Sequence, residues 1–109
     1  DGVMVSADNV VQCGQATVTW AGTTGPVSLL VGTGGFYAGL QPIRTIDNLS
    51  GSSTSVTIDQ KEGTDMIFKI TDSQNKVGYV QNIKVGGGDD SCLDSSNSGS
   101  GSSSSAVES

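Results

Sequence analysis

Few side chains in this sequence could take part in a reaction, and the missing residue types exclude most reaction chemistry. The chain contains no histidine, which removes Ser-His-Asp and Cys-His catalytic sites and the usual zinc and copper ligand sets. Paired catalytic carboxylates must converge in a cleft. The candidate acids instead fall in or beside predicted turns, where we expect solvated side chains: Asp47, Asp59, Glu62, Asp65 and Asp72. The spacing of Asp59, Glu62 and Asp65 fits no EF-hand loop. We therefore predict a protein that is not an enzyme, with no metal site and no cofactor.

The two cysteines lie at opposite ends of the strand-like part of the chain. Cys13 opens a strand, and Cys92 follows the last strand-like run. An even number of cysteines in so short a chain is typical of an oxidised, secreted protein. A Cys13–Cys92 disulfide would close a loop of about 80 residues and contribute about 4.5 kcal/mol in the chain-entropy model. Two unpaired buried thiols are the alternative. With secretion expected, Asp1 is interpreted as the terminus left after signal-peptide cleavage.

Phe36 and Tyr37 form the candidate exposed aromatic pair, beside the glycine-rich turn Gly32–Gly35. Aromatic rings at a loop edge can stack on sugar rings, so this pair, with Asp47 farther along the chain, is a candidate carbohydrate-binding site. The alternative is that one ring of the pair faces the core. Trp20 lies at an inward position of its strand and is therefore predicted to be a core residue.

Asn48, Leu49 and Ser50 form an N-glycosylation sequon in a predicted turn. No other asparagine has serine or threonine two residues after it. In a secreted eukaryotic chain this pattern predicts a sugar on Asn48.

The charge distribution excludes several classes of partner. The formal net charge is −6, and the segment after Gly88 contains acids and no base. A nucleic-acid-binding protein needs a basic face, and a peripheral membrane contact needs a polybasic segment. No apolar run approaches the roughly 20 residues of a transmembrane helix. We expect no nucleic-acid partner and no transmembrane span.

The hydrophobic pattern predicts an all-β protein. In the run from Gln15 to Trp20, apolar residues alternate with threonines, the period of two that is typical of a strand with one buried face. About seven such runs recur every 8–12 residues, separated by Gly, Pro, Asn and Asp, and no helical period is present. The pattern predicts an antiparallel immunoglobulin- or fibronectin-like β-sandwich over residues 1–93.

Several details of these strands are also predicted. Two β-prone runs, Gly2–Ser6 and Asn9–Gln12, are interpreted as edge strands, with the pattern leaving open whether residues 2–12 form one strand or two. Pro42 makes its strand an edge strand or a kinked one. In the last strand, Ile83 and Val85 are expected on the face of Val77 and Tyr79.

The composition changes after Cys92. Residues 94–109 contain nine serines and almost no apolar side chain, too little to offset the entropy of ordering. We predict a disordered stalk or linker there. Its candidate O-glycosylation sites are Ser95, Ser96, Ser98, Ser100, Ser102, Ser103, Ser104 and Ser105.

Five stretches together resemble a family of fungal Ser/Thr-rich cell-surface proteins. They are Val10–Trp20 (VVQCGQATVTW), Gly25–Val31 (GPVSLLV), Met66–Ser73, Lys76–Val85 and the exit Asp89–Cys92 into the serine-rich tail. The family's N-terminal module is similar to that of the yeast cell-wall β-1,6-glucan synthesis proteins. The resemblance covers residues 8–93 and implies an immunoglobulin-like module, secretion, glycosylation and a role in the fungal wall, with no catalytic residues. It also implies a GPI-type lipid anchor attached near Ser109, unless the chain is truncated or simply secreted.

Three functions remain open from the sequence. The first is a non-catalytic structural or interaction module of the fungal cell wall or surface, whose partners are wall polysaccharide or other surface proteins. The second is a module that binds wall glucan through Phe36, Tyr37 and Asp47. The third is a subunit that self-associates into a filament or coat by pairing edge strands, with Gly2–Gln12 as the segment donated to a neighbour.

Overall fold

The structure, a computed structural model, describes residues 2–94 and forms a two-layer β-sandwich. One sheet has the strand order β1-β2-β5 and the other β4-β3-β6-β7, with antiparallel pairing throughout. The strands are β1 (Met4–Asp8), β2 (Gln15–Ala21), β3 (Val27–Thr33), β4 (Gln41–Leu49), β5 (Ser53–Thr57), β6 (Asp65–Thr71) and β7 (Val77–Lys84). A short helix, α1 (Ser91–Asp94), follows. The predicted all-β immunoglobulin-like sandwich of about seven strands is confirmed. The candidate O-glycosylation serines and Ser109 lie outside the described residues.

The core forms where the predicted strand alternation places it. In β2, Ala16, Val18 and Trp20 are buried, while Thr17 is exposed and Thr19 half-buried. The facing sheet contributes the inward residues of β3 and β6, which are Val27, Leu29, Val31, Met66, Phe68 and Ile70. Trp20 Nε1 donates a hydrogen bond to the Gly51 carbonyl at 3.1 Å. Trp20 is therefore a core residue, as predicted, and its one polar group has a partner.

The prediction that Ile83 and Val85 share a face with Val77 and Tyr79 is wrong. Phe68 pairs with Val80 but Met66 pairs with Ile83, so β7 contains one extra residue between these positions. Asn82 adopts φ 59° in this bulge. The extra residue reverses the alternation, which turns Ile83 and Val85 towards the core and leaves Tyr79 exposed.

Strand β4 is an edge strand with irregular pairing, as the proline in it predicts. Its register with β3 shifts twice, once beside Pro42 and once before Leu49. The expected turn at Asn48–Gly51 begins later than predicted, because β4 continues through Leu49. Asn48 lies inside the second irregularity with φ 60°, a conformation that asparagine tolerates better than most residues.

The N-terminal segment crosses from one sheet to the other. Strand β1 pairs with β2, and after Asn9, which has φ 59°, Val11 forms a parallel bridge with Gly86. The segment is thus one strand followed by a single bridge. The strand continues through Asp8, two residues beyond the end of the predicted run Gly2–Ser6. At its beginning, the N-terminal segment passes close to β7, where a Cβ added to Gly78 would collide with the Val3 carbonyl. Only glycine lets the start of the chain approach β7 this closely.

A disulfide joins the two sheets at one end of the sandwich. Cys13, just before β2, bonds to Cys92 in α1, with their Cα atoms 5.7 Å apart. The neighbouring Gln12 side chain accepts a hydrogen bond from the Glu62 amide and donates to the Gly88 and Asp89 carbonyls. Hydrogen bonds from the Ser91 hydroxyl and amide lower the pKa of Asp89. The predicted Cys13–Cys92 pairing is confirmed.

A buried carboxylate holds the opposite end together. Asp72 accepts hydrogen bonds from the backbone amides of Thr24, Gln74 and Lys76 at 2.8–2.9 Å. Burial by itself would raise the pKa of Asp72, but these amides and the Lys76 ammonium at 3.6 Å lower it overall. The expectation of a solvated turn residue is wrong for Asp72, because its carboxylate is buried between the β6–β7 turn and the β2–β3 turn.

Candidate interaction surface

The loop between β3 and β4 folds back over the outer face of the four-stranded sheet. It begins at Gly34, whose φ of 132° brings it close to the Gly39 carbonyl. The Gly34 amide donates to the Asp65 carbonyl, and the Tyr37 amide donates to Gln81 Oε1 at 2.8 Å. These bonds attach the loop to β6 and β7. Ile67 is fully buried although its strand alternation points it away from the sandwich core, because the loop covers it.

The loop places Tyr37 on Tyr79 of β7. The two rings stack with centroids 4.5 Å apart and planes 4° from parallel. The Lys69 ammonium lies 5.5 Å from the centroid of the Tyr37 ring, within the range of a cation–π contact. Two stacked rings contribute roughly 1 kcal/mol beyond the hydrophobic free energy of the area that they bury. The stack therefore stabilises the docking of the loop on β7.

Phe36, next to this stack, points into solvent. Its side chain is 70% exposed, and Tyr79 and Val77 on β7 are 44% and 47% exposed. We call Phe36, Tyr37, Val77 and Tyr79 the aromatic patch. Neither ring of the predicted pair faces the core, since Tyr37 packs on the outside of the sheet. An exposed cluster of large apolar side chains on a small protein is a common mark of a binding surface.

Asp47 lies on the same outer face but at the opposite edge of the sheet. Its Oδ1 accepts a hydrogen bond from the Ser28 hydroxyl at 2.9 Å. Strands β4 and β7 are the two edges of this sheet, so about 14 Å separates Asp47 from the patch at roughly 4.8 Å per strand. The structure thus places Phe36 and Tyr37 together and sets Asp47 apart from them.

Four residues of this surface were not predicted from the sequence: Val77, Tyr79, Lys69 and Gln81. Tyr79 was expected on the face of Ile83 because the bulge at Asn82 is not visible in the alternation of residue types. The roles of Lys69 and Gln81 depend on where the loop docks. Gly34 was the available signal, since a glycine there allows the loop to reverse.

The outer face of the three-stranded sheet has a different character. It presents mainly hydroxyl groups, from Ser6, Thr17, Thr19, Ser53, Ser55 and Thr57. A groove of about 240 Å³ lies at its β1–β2 side, lined by Met4, Val5, Ser6, Thr19, Trp20 and Ala21. Met4 is the large apolar side chain exposed there.

The sequon asparagine is accessible. Asn48 and Ser50 are both exposed, although Asn48 lies in a strand irregularity where a turn was expected. Among residues 2–94, the fold leaves the side chain that would carry the sugar open to solvent.

Two of the remaining candidate acids form separate ion pairs, and the third, Glu62, is exposed. Asp59 contacts Arg44 at 3.4 Å and Asp65 contacts Lys84 at 2.9 Å. Asp65 is the first residue of β6 and is half-buried, where a solvated turn residue was expected. Within residues 2–94, no group of three or more metal-ligating side chains comes together.

No family model, curated protein or solved structure matches the chain. In the described part of the chain, no helix has the length and apolar composition needed to cross a membrane.

Proposed function

We propose that this protein is a non-catalytic extracellular interaction module of the fungal cell wall or surface that binds through its aromatic patch. The observation that carries the proposal is the exposed Phe36 beside the Tyr37–Tyr79 stack. An exposed phenylalanine ring is unfavourable in water, and its burial against a partner would contribute free energy to binding. The disulfide supports an oxidising location, and the resemblance to fungal surface proteins supports the wall.

Wall glucan is the second candidate, as the ligand of the same patch. Its support is the combination of aromatic rings with neighbouring polar groups that could hydrogen-bond to sugar hydroxyls. Lys69 lies near the Tyr37 ring, Gln81 accepts a hydrogen bond from the Tyr37 amide, and Thr71 pairs with Val77. A neutral polysaccharide also has no charge to be repelled by a protein of net charge −6. Protein partners on the cell surface remain the alternative class.

Binding to isolated cell walls tests both candidates. The full chain should sediment with walls, and Phe36→Ala should reduce the bound fraction at least several-fold. Thr17→Ala, on the opposite outer face, is the matched control and should bind like the wild type. Loss of binding after enzymatic removal of glucan indicates glucan as the ligand, and retained binding indicates a wall protein. Absence of wall binding by the wild type would reject the proposal.

Secretion and glycosylation belong to the same proposal. Protein isolated from its source should have a mass above the bare chain that falls on removal of N-linked sugar from Asn48. Tail serines such as Ser95 and Ser96 should carry O-linked sugar, and an anchor near Ser109 should release a lipid on chemical cleavage. A bare mass would exclude glycosylation.

A further inference from the structure

The free edge of β5 presents a short row of unpaired backbone groups. Trp20 donates its amide to the Ser52 carbonyl, and Ile58 exchanges bonds with the segment before β2. The even-numbered residues of this stretch therefore point their backbone groups towards β2. The backbone N–H and C=O groups of successive residues point to opposite sides of a strand. Those of Ser53, Ser55 and Thr57 therefore point away from β2. Strand β5 is the last strand of its sheet, so these groups face outwards.

The other sheet edges of the described residues carry features that oppose pairing with another strand. Edge β4 contains Pro42, an exposed Arg44 and two register shifts. Edge β7 contains the bulge at Asn82 and the exposed Lys84. Edge β1 ends with the exposed Asp8 and packs against β7, so these two edges cover each other in part. Proline, bulges and charges are the usual protection of edge strands. Strand β5 has the sequence STSVT and pairs with β2 in continuous register, with none of these protections.

The edge of β5 is complementary to itself. An antiparallel pairing of two copies, centred on Ser55, would place Ser55 opposite Ser55 and Ser53 opposite Thr57. The Ser53–Thr57 pair occurs twice by symmetry, so there are three pairs, and at two backbone hydrogen bonds each they would form about six. The strand has no charged side chain, so the two-fold arrangement sets no like charges against each other. Such a contact is closed by its own symmetry.

We propose that two copies of this chain associate through β5 to form a continuous sheet with the order β1-β2-β5-β5-β2-β1. Self-association by edge-strand pairing was one of the functions left open by the sequence, with Gly2–Gln12 as the contacting segment. The contact proposed here is β5 instead. The segment Gly2–Gln12 already pairs with β2 and packs against Gly78 within one protomer. The contact is independent of the aromatic patch, which lies on the other sheet. Five residues bury less surface than a standard interface, so the dimer is weak.

Sedimentation equilibrium of the full chain tests the dimer, with N-linked sugar removed because Asn48 lies just before the connection to β5. The weight-average mass should rise towards that of a dimer between about 10 µM and about 1 mM. Ser55→Pro should remain monomeric, because it removes an outward amide that the protomer does not use. Ser55→Ala, which keeps that amide, should dimerise like the wild type.

Ser55→Lys provides a second variant if Ser55→Pro does not fold. Two lysines would then lie directly opposite each other, and dimerisation should weaken roughly tenfold. A wild type that stays monomeric over the whole range would overturn the proposal, as would a folded Ser55→Pro or Ser55→Lys that dimerises normally. Phe36→Ala should leave the dimer intact, so failure of the wall-binding proposal and failure of the dimer are distinguishable.

Discussion

The two sheets of this sandwich differ in the regularity of their strand pairing, and they present different surfaces to solvent. The three-stranded sheet pairs in continuous register and has an outer face of hydroxyl groups. The four-stranded sheet has two register shifts between β3 and β4 and one between β6 and β7. It is also the sheet whose outer face carries the docked loop and the aromatic patch. The regular sheet thus leaves a plain edge at β5, whereas the irregular sheet presents a shaped apolar surface.

Two local features of the backbone build the aromatic patch. A bulge at Asn82 sets the direction of Tyr79, and the reversal at Gly34 brings Tyr37 onto it. Each needs one residue that tolerates positive φ. The bulge also turns Ile83 and Val85 towards the core, so it links the aromatic patch to the packing of the interior.

The largest predicted effect comes from cutting the covalent link between the sheets. The double variant Cys13→Ser, Cys92→Ser should lower the free energy of unfolding by about 4.5 kcal/mol, because the open chain gains the entropy of a loop of about 80 residues. Urea unfolding of the variant and the oxidised wild type measures the difference. A loss in the free energy of unfolding below about 1 kcal/mol would contradict this contribution of the disulfide. It would show that the hydrogen bonds around Gln12 are enough to stabilise this end.

The next effect tests the contact of β1 with the four-stranded sheet. Gly78→Ala should cost about 1–3 kcal/mol, because its Cβ overlaps the Val3 carbonyl and the backbone has to move. Gly39→Ala is the matched control, since a Cβ there meets nothing within 4 Å. Thermal unfolding compares them. Equal stability of the two variants would contradict the close approach of Val3 to β7.

A smaller effect is expected at the end held by Asp72, and it depends on pH. Burial raises the pKa of Asp72, but hydrogen bonds from backbone amides hold it below its ordinary value overall. The stabilisation is therefore fully present above the unfolded pKa and is lost as pH falls through the native pKa. Asp72→Asn should therefore be less stable than the wild type at pH 7, with the gap closing in acid. Asp59→Asn, in an exposed ion pair, is the control. A gap that stays constant down to about pH 2 would contradict this role of the carboxylate.

The smallest effect on stability should come from the aromatic patch. Phe36→Ala should change the free energy of unfolding by less than about 0.5 kcal/mol, because the ring is mostly exposed. Tyr79→Ala should cost more, because it removes the stacking partner of Tyr37. Chemical denaturation of the two variants measures both. A larger loss for Phe36→Ala than for Tyr79→Ala would place Phe36 in the fold and not in a binding surface.

The fold could be predicted from local residue patterns in the sequence, but the aromatic patch could be predicted only in part. The alternation around Trp20 and the positions of Cys13 and Cys92 predicted the core strand and the disulfide, because each depends on residue type and spacing alone. The face of Tyr79 was wrong because one bulge residue reverses the alternation without changing the composition. The burial of Asp72 was also missed, since it requires an amide from Thr24, which is 48 residues away in the sequence.

The most direct test of the proposed function is to map whether a wall-glucan fragment binds the sandwich and on which outer face. Amide chemical shifts of the labelled full chain are recorded while a soluble wall-glucan fragment is added, with Phe36→Ala in parallel. The account predicts changes at Phe36, Tyr37 and Tyr79 that disappear in the variant, with Thr17 and Ser55 unaffected. Changes centred on Thr17 and Ser55 would show that the hydroxyl face is the binding surface and would contradict the account.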